Sequence, residues 1–256
     1  MPEPIEPHPP AASGSPPGDD VRGDGVAVPA DFIDKWRARW PEWTVAEVFV
    51  PAAKRETALA WAALQQELTD AAWGGSDPRP GEAKLAWWQE ELAGWRRGAR
   101  RHPLGSVLQR RSAPWPTLAA ALPSLAGSRE RPSSADEAFA ALMPFAQALS
   151  AIDAALFDAP AADGEAGLIA ASLLQSRFAQ GGAEGAPLAV LARAGDSDPR
   201  PIWAAQLRQR WPRHRAGSRP RRLWSALARA RLDQPDPVRP LPLWKALAVA
   251  WRAARG

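Results

Sequence analysis

The chain of 256 residues contains no cysteine. Disulfides, thiolate metal centres and cysteine nucleophiles are therefore excluded. Only three histidines are present. His8 lies in a proline-rich stretch, and His102 and His214 stand far apart among arginines, so no zinc-ligand spacing exists. Tyrosine is absent and β-branched residues are sparse, whereas Ala, Leu and 14 Trp dominate the 46% of hydrophobic residues. That balance favours helix over sheet. No segment of useful length alternates apolar and polar residues as a half-buried strand does. No unbroken apolar run reaches the roughly 18 residues of a bilayer span. The opening "MPEPIEPHPPAASGSPPGDD" lacks the basic start and apolar centre of a signal peptide. A cytoplasmic protein, at most peripheral to the inner face of a membrane, is the expectation.

What is present is a helical pattern punctuated by Pro and Gly. Residues 1–29 are Pro-, Gly-, Ser- and Asp-rich, bury too little apolar surface to offset chain entropy, and are expected to be a disordered tail. The remainder, 30–256, reads as one all-α domain. Phe32, Ile33, Trp36 and Trp40 follow a helical spacing, with Asp31 as candidate N-cap and a break at Pro41. "PAAKRETALAWAALQQELTDAAWGG" starts on Pro51 and stops at a Gly pair. "GEAKLAWWQEELAGWRRGARRHP" puts Leu85, Trp88, Leu92 and Trp95 on one face, with Glu90, Glu91, Arg96 and Arg97 elsewhere. Prolines cut 103–132 into short helices. A long helix is predicted over 134–157 with Ser133 or Ser134 as cap, followed by helices near 166–182, 202–212, 219–232 and 240–255.

Charge is unevenly placed. From Arg200 onward there are fourteen Lys and Arg against Asp233 and Asp236 alone, a net of +12; with +4 for the whole chain, residues 1–199 carry −8. The C-terminal quarter, 200–256, is a basic module on an acidic body.

The segment "KLAWWQEELAGWRRGARRHPLGSVL" resembles the family of squalene and phytoene synthases, through Leu85, Trp88, Glu91, Leu92, His102, Pro103 and Leu104. "LQQEL", in the preceding helix, stands where that family has the residues before its first aspartate-rich motif. The resemblance covers residues 30–110 and extends beyond them only through helix order. It implies an isoprenoid-synthase-like helical fold with a central cavity for a prenyl or other lipid. It also implies two facing aspartate-rich clusters, whose carboxylates, four apart on a helix, share magnesium ions that hold a prenyl diphosphate.

The resemblance places Glu67 and Thr69 at the start of the first motif, with Thr69 at its first aspartate, Asp70 at its second and Trp73 at its last. Threonine is a poor substitute for a carboxylate, and an indole cannot ligate magnesium. The expected role of Glu67 and Asp70 is a surface-facing or arginine-paired one, a monodentate magnesium site at Asp70 being the weaker reading, and Trp73 is expected to plug the cavity. Among Asp136, Glu137, Asp153, Asp158, Asp163, Glu165 and Glu184, only Asp153 shares an apolar helix face with Leu142, Ala146, Leu149 and Leu156, which makes it the best remnant of a second cluster; the commoner role for such a residue, a helix-end carboxylate turned toward water or an arginine, is the stronger expectation. His102 before Pro103 reads as a turn residue capping the next helix.

The resulting expectation is a member without magnesium or other cofactor, acting as a non-catalytic lipid-binding or assembly protein. The alternative is an active prenyl transferase that condenses two prenyl diphosphates head to head with magnesium. "RQRWPRHRAGSRPRRLW" reads either as a solvated arginine-rich face or, through Arg213, Arg215, Arg219, Arg221 and Arg222, as an anion-binding surface for an anionic membrane or an acidic protein partner. No nucleic-acid signature accompanies them, so nucleic acid ranks last.

Overall fold

The computed structural model describes residues 27–160, 164–213 and 217–255. Residues 1–26 of the expected tail, Asp163, His214 and Arg215 lie outside them. Helices account for every regular element among the described residues: α1 (Pro29–Arg39), α2 (Trp43–Ala46) with a 3-10 turn at Glu47–Phe49, α3 (Ala52–Trp73), α4 (Arg79–Trp95), α5 (Gly105–Leu108), α6 (Trp115–Gly127), α7 (Ala135–Phe157), α8 (Glu165–Gly181) with a 3-10 turn at Gly182–Gly185, α9 (Leu188–Ala194), α10 (Arg200–Arg210), α11 (Arg219–Leu232) and α12 (Leu243–Ala254). The all-α expectation is met.

Local chemistry sets the helix ends. α1 begins at Pro29 rather than after an Asp31 cap; Asp31 sits in the first turn, where its carboxylate accepts the Val28 N–H at 2.9 Å. α7 is N-capped by Ser134, whose Oγ accepts the Glu137 N–H at 3.2 Å, while the Glu137 carboxylate accepts the N–H of the preceding Ser133 at 2.7 Å. Both α6 and α7 run through an internal proline, Pro123 and Pro144. Tertiary packing overrides the expected break at Pro123. α7 has the length and composition of a bilayer span, which the search for unbroken apolar runs missed. Here it is a core helix, with Leu142, Phe145, Leu149 and Ile152 fully buried between α6 and α8.

α11 packs on α8, α3 packs between α1 and α4, and α12 returns from α11 to pack on α2. Tryptophans join distant segments: Trp36 and Trp40 meet Trp224 edge-on at 6.0 and 5.8 Å, and Trp115 meets Trp61 and Trp95 at 6.0 and 4.8 Å. Leu85, Trp88, Leu92 and Trp95 form the buried stripe of α4, but Glu91 joins them rather than facing water. Its carboxylate accepts the Trp95 indole N–H at 3.0 Å and the backbone N–H groups of Arg101 and His102 at 2.8 and 2.9 Å. Glu91 thereby anchors the linker that leads to Pro103 and Leu104. Burial alone would raise its pKa, yet these donors hold it below the ordinary carboxylate value.

A second buried carboxylate, Glu42, ties the chain's two ends together. It accepts Arg231 Nε at 2.7 Å, Arg231 Nη2 at 2.6 Å and the Leu241 N–H at 2.7 Å, while the Arg231 guanidinium lies 3.8 Å over the Trp40 ring. Close approach also dictates Gly81: a Cβ there would sit 2.1 Å from the carbonyl oxygen of Ala71, so α4 can cross α3 only without a side chain.

Candidate functional site

Glu67 and Asp70 lie three apart on α3, and Lys35 and Arg39 lie four apart on α1, so the two pairs meet where the helices pack. Lys35 Nζ sits 2.7 Å from Glu67 Oε1 and 3.1 Å from Asp70 Oδ2. Lys84 from α4 takes the other Glu67 oxygen at 2.7 Å, and Arg39 Nη1 takes the other Asp70 oxygen at 2.6 Å. All four carboxylate oxygens thus face a cation. Glu67 is neither surface-facing nor arginine-paired; it is buried between two lysines, and only Asp70 has an arginine. Burial pushes the Glu67 pKa up, but the Lys35 and Lys84 ammonium groups outweigh it and hold the carboxyl below its usual value. Lys35 is correspondingly held above the ordinary lysine pKa, against the opposing effect of its own partial burial.

The other two motif positions are also engaged. Thr69 Oγ1 donates to the Gln66 carbonyl at 3.0 Å, within its own helix turn. Trp73 Nε1 donates to Ser128 Oγ at 3.0 Å. Trp73 does not plug an interior cavity, because it stands at the edge of an outer cleft. The interior beside α3 is filled instead by Trp36, Trp40 and Trp224, which leave voids of about 10 and 20 Å³. Such volumes suit a single water rather than a lipid chain.

Asp153 is buried on α7, but it faces Trp61 and Gln65 rather than Glu67 and Asp70. Its Oδ1 accepts the Trp61 indole N–H at 2.6 Å, and its Oδ2 accepts Arg221 Nε at 2.6 Å; Arg221 Nη2 goes on to Gln65 Oε1 at 2.8 Å. Arg221 therefore leaves the surface set, since its side chain is 2% exposed and committed to a carboxylate. Arg213 and Arg219 are exposed, and Arg222 is half-buried with Nη1 donating to the Gly217 carbonyl at 3.2 Å. His102 Nδ1 accepts the Leu104 N–H at 3.2 Å, which makes it the turn residue expected, but α5 begins without a side-chain cap, so it does not cap that helix. Among the described residues no three His, Asp or Glu side chains converge as a metal site.

The larger space is a cleft of about 890 Å³ at the C-terminal ends of α3 and α8, bordered by Asp70, Trp73, Arg129, Arg177, Gln180 and Glu184. Arg129 donates to the carbonyls of Ala72, Gly74 and Gly75, closing the end of α3. Arg177 donates to those of Ser128, Arg129 and Glu130, closing the end of α6. Each guanidinium satisfies orphan carbonyls at the negative end of a helix and keeps further N–H donors. Neither makes an ion pair among the described residues. Burial, with Arg131 and Arg129 adding like-charge repulsion, lowers the Arg177 pKa to about 10. It remains charged at neutral pH, with Arg129 and Arg131 close enough to repel it.

Sequence reasoning missed both arginines, although a signal existed. Arg177 falls on the same buried stripe as Ala170, Leu173 and Leu174, and a guanidinium there must find several acceptors. No family model, curated protein or solved structure matches the chain.

Proposed function

We propose that the chain is a squalene/phytoene synthase-like helical protein whose magnesium–diphosphate chemistry has given way to non-catalytic binding. In this reading the cleft beside Trp73 takes a phosphate- or carboxylate-bearing ligand directly on Arg129 and Arg177, and the protein serves as a lipid-binding or assembly factor. One observation carries the proposal: the Lys35 ammonium lies between Glu67 and Asp70, where a shared magnesium ion would have to lie. A hard divalent ion needs those oxygen lone pairs, and Lys35, Arg39 and Lys84 already engage them. With Thr69 and Trp73 at the remaining positions and Asp153 turned to Arg221, the donor set does not fit the metal. What an anion meets in the cleft is Arg129 and Arg177, each braced by backbone carbonyls and so held in place before the ligand arrives, while Asp70 on the same lining is already engaged by Lys35 and Arg39.

The reading is tested by thermal denaturation with inorganic pyrophosphate and with farnesyl diphosphate, each with magnesium and with a chelator. Ligand at about a hundred times its Kd stabilises by about 2.7 kcal/mol, which for a domain of this size raises Tm by roughly 5–10 °C. That rise should be the same in chelator and should vanish in Arg177→Gln. A rise that needs magnesium, or the formation of a C30 or C40 product, would instead establish the prenyl-transferase reading.

A further inference from the structure

The C-terminal helix carries residues that the cleft does not use. Most large apolar side chains are buried, yet α12 exposes Leu243, Trp244, Leu247 and Trp251, with Trp244 75% exposed. Helical spacing explains the pattern. Ala246, Ala250 and Ala253 form the buried seam of α12, and Trp244, Leu247, Ala248 and Trp251 project from the side away from it. Arg255 extends the outward face and lies 3.8 Å over the Trp251 ring, which keeps a cation at the end of the apolar strip.

Beside this strip, on the flank that carries Arg252, α12 and α11 enclose a groove of about 380 Å³. Its rim carries Arg213, Arg222, Arg229 and Arg252, and its floor includes Trp211 and Val249. Arg213, Arg229 and Arg252 are exposed and form no ion pair among the described residues. The single acid on the rim, Asp233, is 3.5 Å from Arg208. Neither α11 nor α12 contains an Asp or Glu.

We infer that α12 and this groove form a docking surface for an anionic lipid bilayer, with Trp244, Leu247 and Trp251 entering the interface and the arginine groove receiving a lipid phosphate. Charge complementarity selects that occupant. An apolar strip alone would suit any partner, but an indole-rich strip on a helix whose only charged residues are Lys245, Arg252 and Arg255, next to a basic groove of head-group size, matches a surface that is apolar below and anionic above. An acidic protein could neutralise the arginines, but it would not need two exposed indoles on an alanine-seamed helix. The inference is independent of the cleft at α3 and α8.

The experiment uses the full chain in a vesicle co-sedimentation assay, with phosphatidylcholine vesicles carrying or lacking about a third phosphatidylglycerol. Wild type should bind the anionic vesicles and ignore the neutral ones, with binding lost as salt rises from about 0.05 to 0.5 M, where the screening length falls to a few ångströms. Each basic side chain at an anionic surface contributes roughly a factor of five. The triple change Arg213→Gln, Arg229→Gln, Arg252→Gln should therefore weaken binding on the order of a hundredfold. The pair Trp244→Ser, Trp251→Ser should weaken it at least tenfold, and both variants should keep the wild-type melting temperature within a few degrees. The inference is overturned if the tryptophan variant binds as wild type does, because adsorption would then be non-specific and purely electrostatic. It is also overturned if wild type ignores anionic vesicles while binding glycerol phosphate, or if sedimentation shows α12 covered in a dimer that the tryptophan substitutions dissolve.

Discussion

Replacing Arg221 by Gln separates a buried structural arginine from its exposed neighbours only two residues away. Arg221 and Asp153 side chains are each 2% exposed and 2.6 Å apart, and Arg221 also bonds Gln65 and lies 5.0 Å over the Trp224 ring. Glutamine keeps some volume but leaves Asp153 charged, buried and held only by the Trp61 indole. Breaking a buried pair in this one-sided way costs about 3–5 kcal/mol. At about 2–4 °C per kcal/mol for a domain of this size, Tm should fall by roughly 6–20 °C. Arg219→Gln, at an exposed position, should change stability by less than about 0.5 kcal/mol. The double variant Arg221→Met, Asp153→Leu removes both charges and should recover most of the loss, because apolar groups of similar size replace a buried pair nearly neutrally. Urea denaturation followed by tryptophan fluorescence, with calorimetry at pH 7, measures all four proteins. If Arg221→Gln is as mild as Arg219→Gln, or the double variant is as unstable as Arg221→Gln, the reasoning is wrong.

His102→Asn should remove a pH dependence. Burial lowers the His102 pKa from 6.5 to about 4, so below pH 6.5 the unfolded chain takes up a proton that the folded chain refuses. Stability from the neutral imidazole is present above pH 6.5 and is lost as pH falls toward 4, on the order of 2–3 kcal/mol. Asparagine does not titrate but keeps an acceptor for the Leu104 N–H. The stability gap between wild type and variant should therefore narrow between pH 7 and 4.5, and parallel pH profiles would refute the assignment. Gly81→Ala should destabilise by about 1–3 kcal/mol or more, since its Cβ would overlap the Ala71 carbonyl at 2.1 Å; a melting temperature equal to wild type would show that the α3–α4 crossing is not tight.

Much of the helix plan was legible in the sequence because Pro, Gly and apolar spacing are local signals. The stripe Leu85, Trp88, Leu92 and Trp95 is buried as its period required. Partner choice was not legible, because a carboxylate on a helix face does not say which distant cation will meet it. Glu67 was read as solvent- or arginine-facing, and its lysines come from α1 and α4. Yet periodicity, applied to charges as well as to apolar residues, would have found some of this. Arg221 shares a stripe with Trp224, Ser225, Ala228 and Leu232, and Arg231 shares one with Leu223 and Leu227. Reading "RPRRLW" as a uniformly basic patch obscured the fact that adjacent helical residues point about 100° apart.

The knot of Glu42, Arg231 and Leu241 has a consequence for how the protein is made. Glu42 and its arginine are 189 residues apart, and Trp36 and Trp40 depend on Trp224 for the same closure. With chains elongating at roughly 5–20 residues per second, on the order of 10–40 s separate synthesis of the N-terminal tryptophans from synthesis of the residues that cover them. Throughout that interval the nascent chain carries an indole-rich segment and a carboxylate designed for burial, with neither yet enclosed. Completion of the core is thus deferred until α11 has been made.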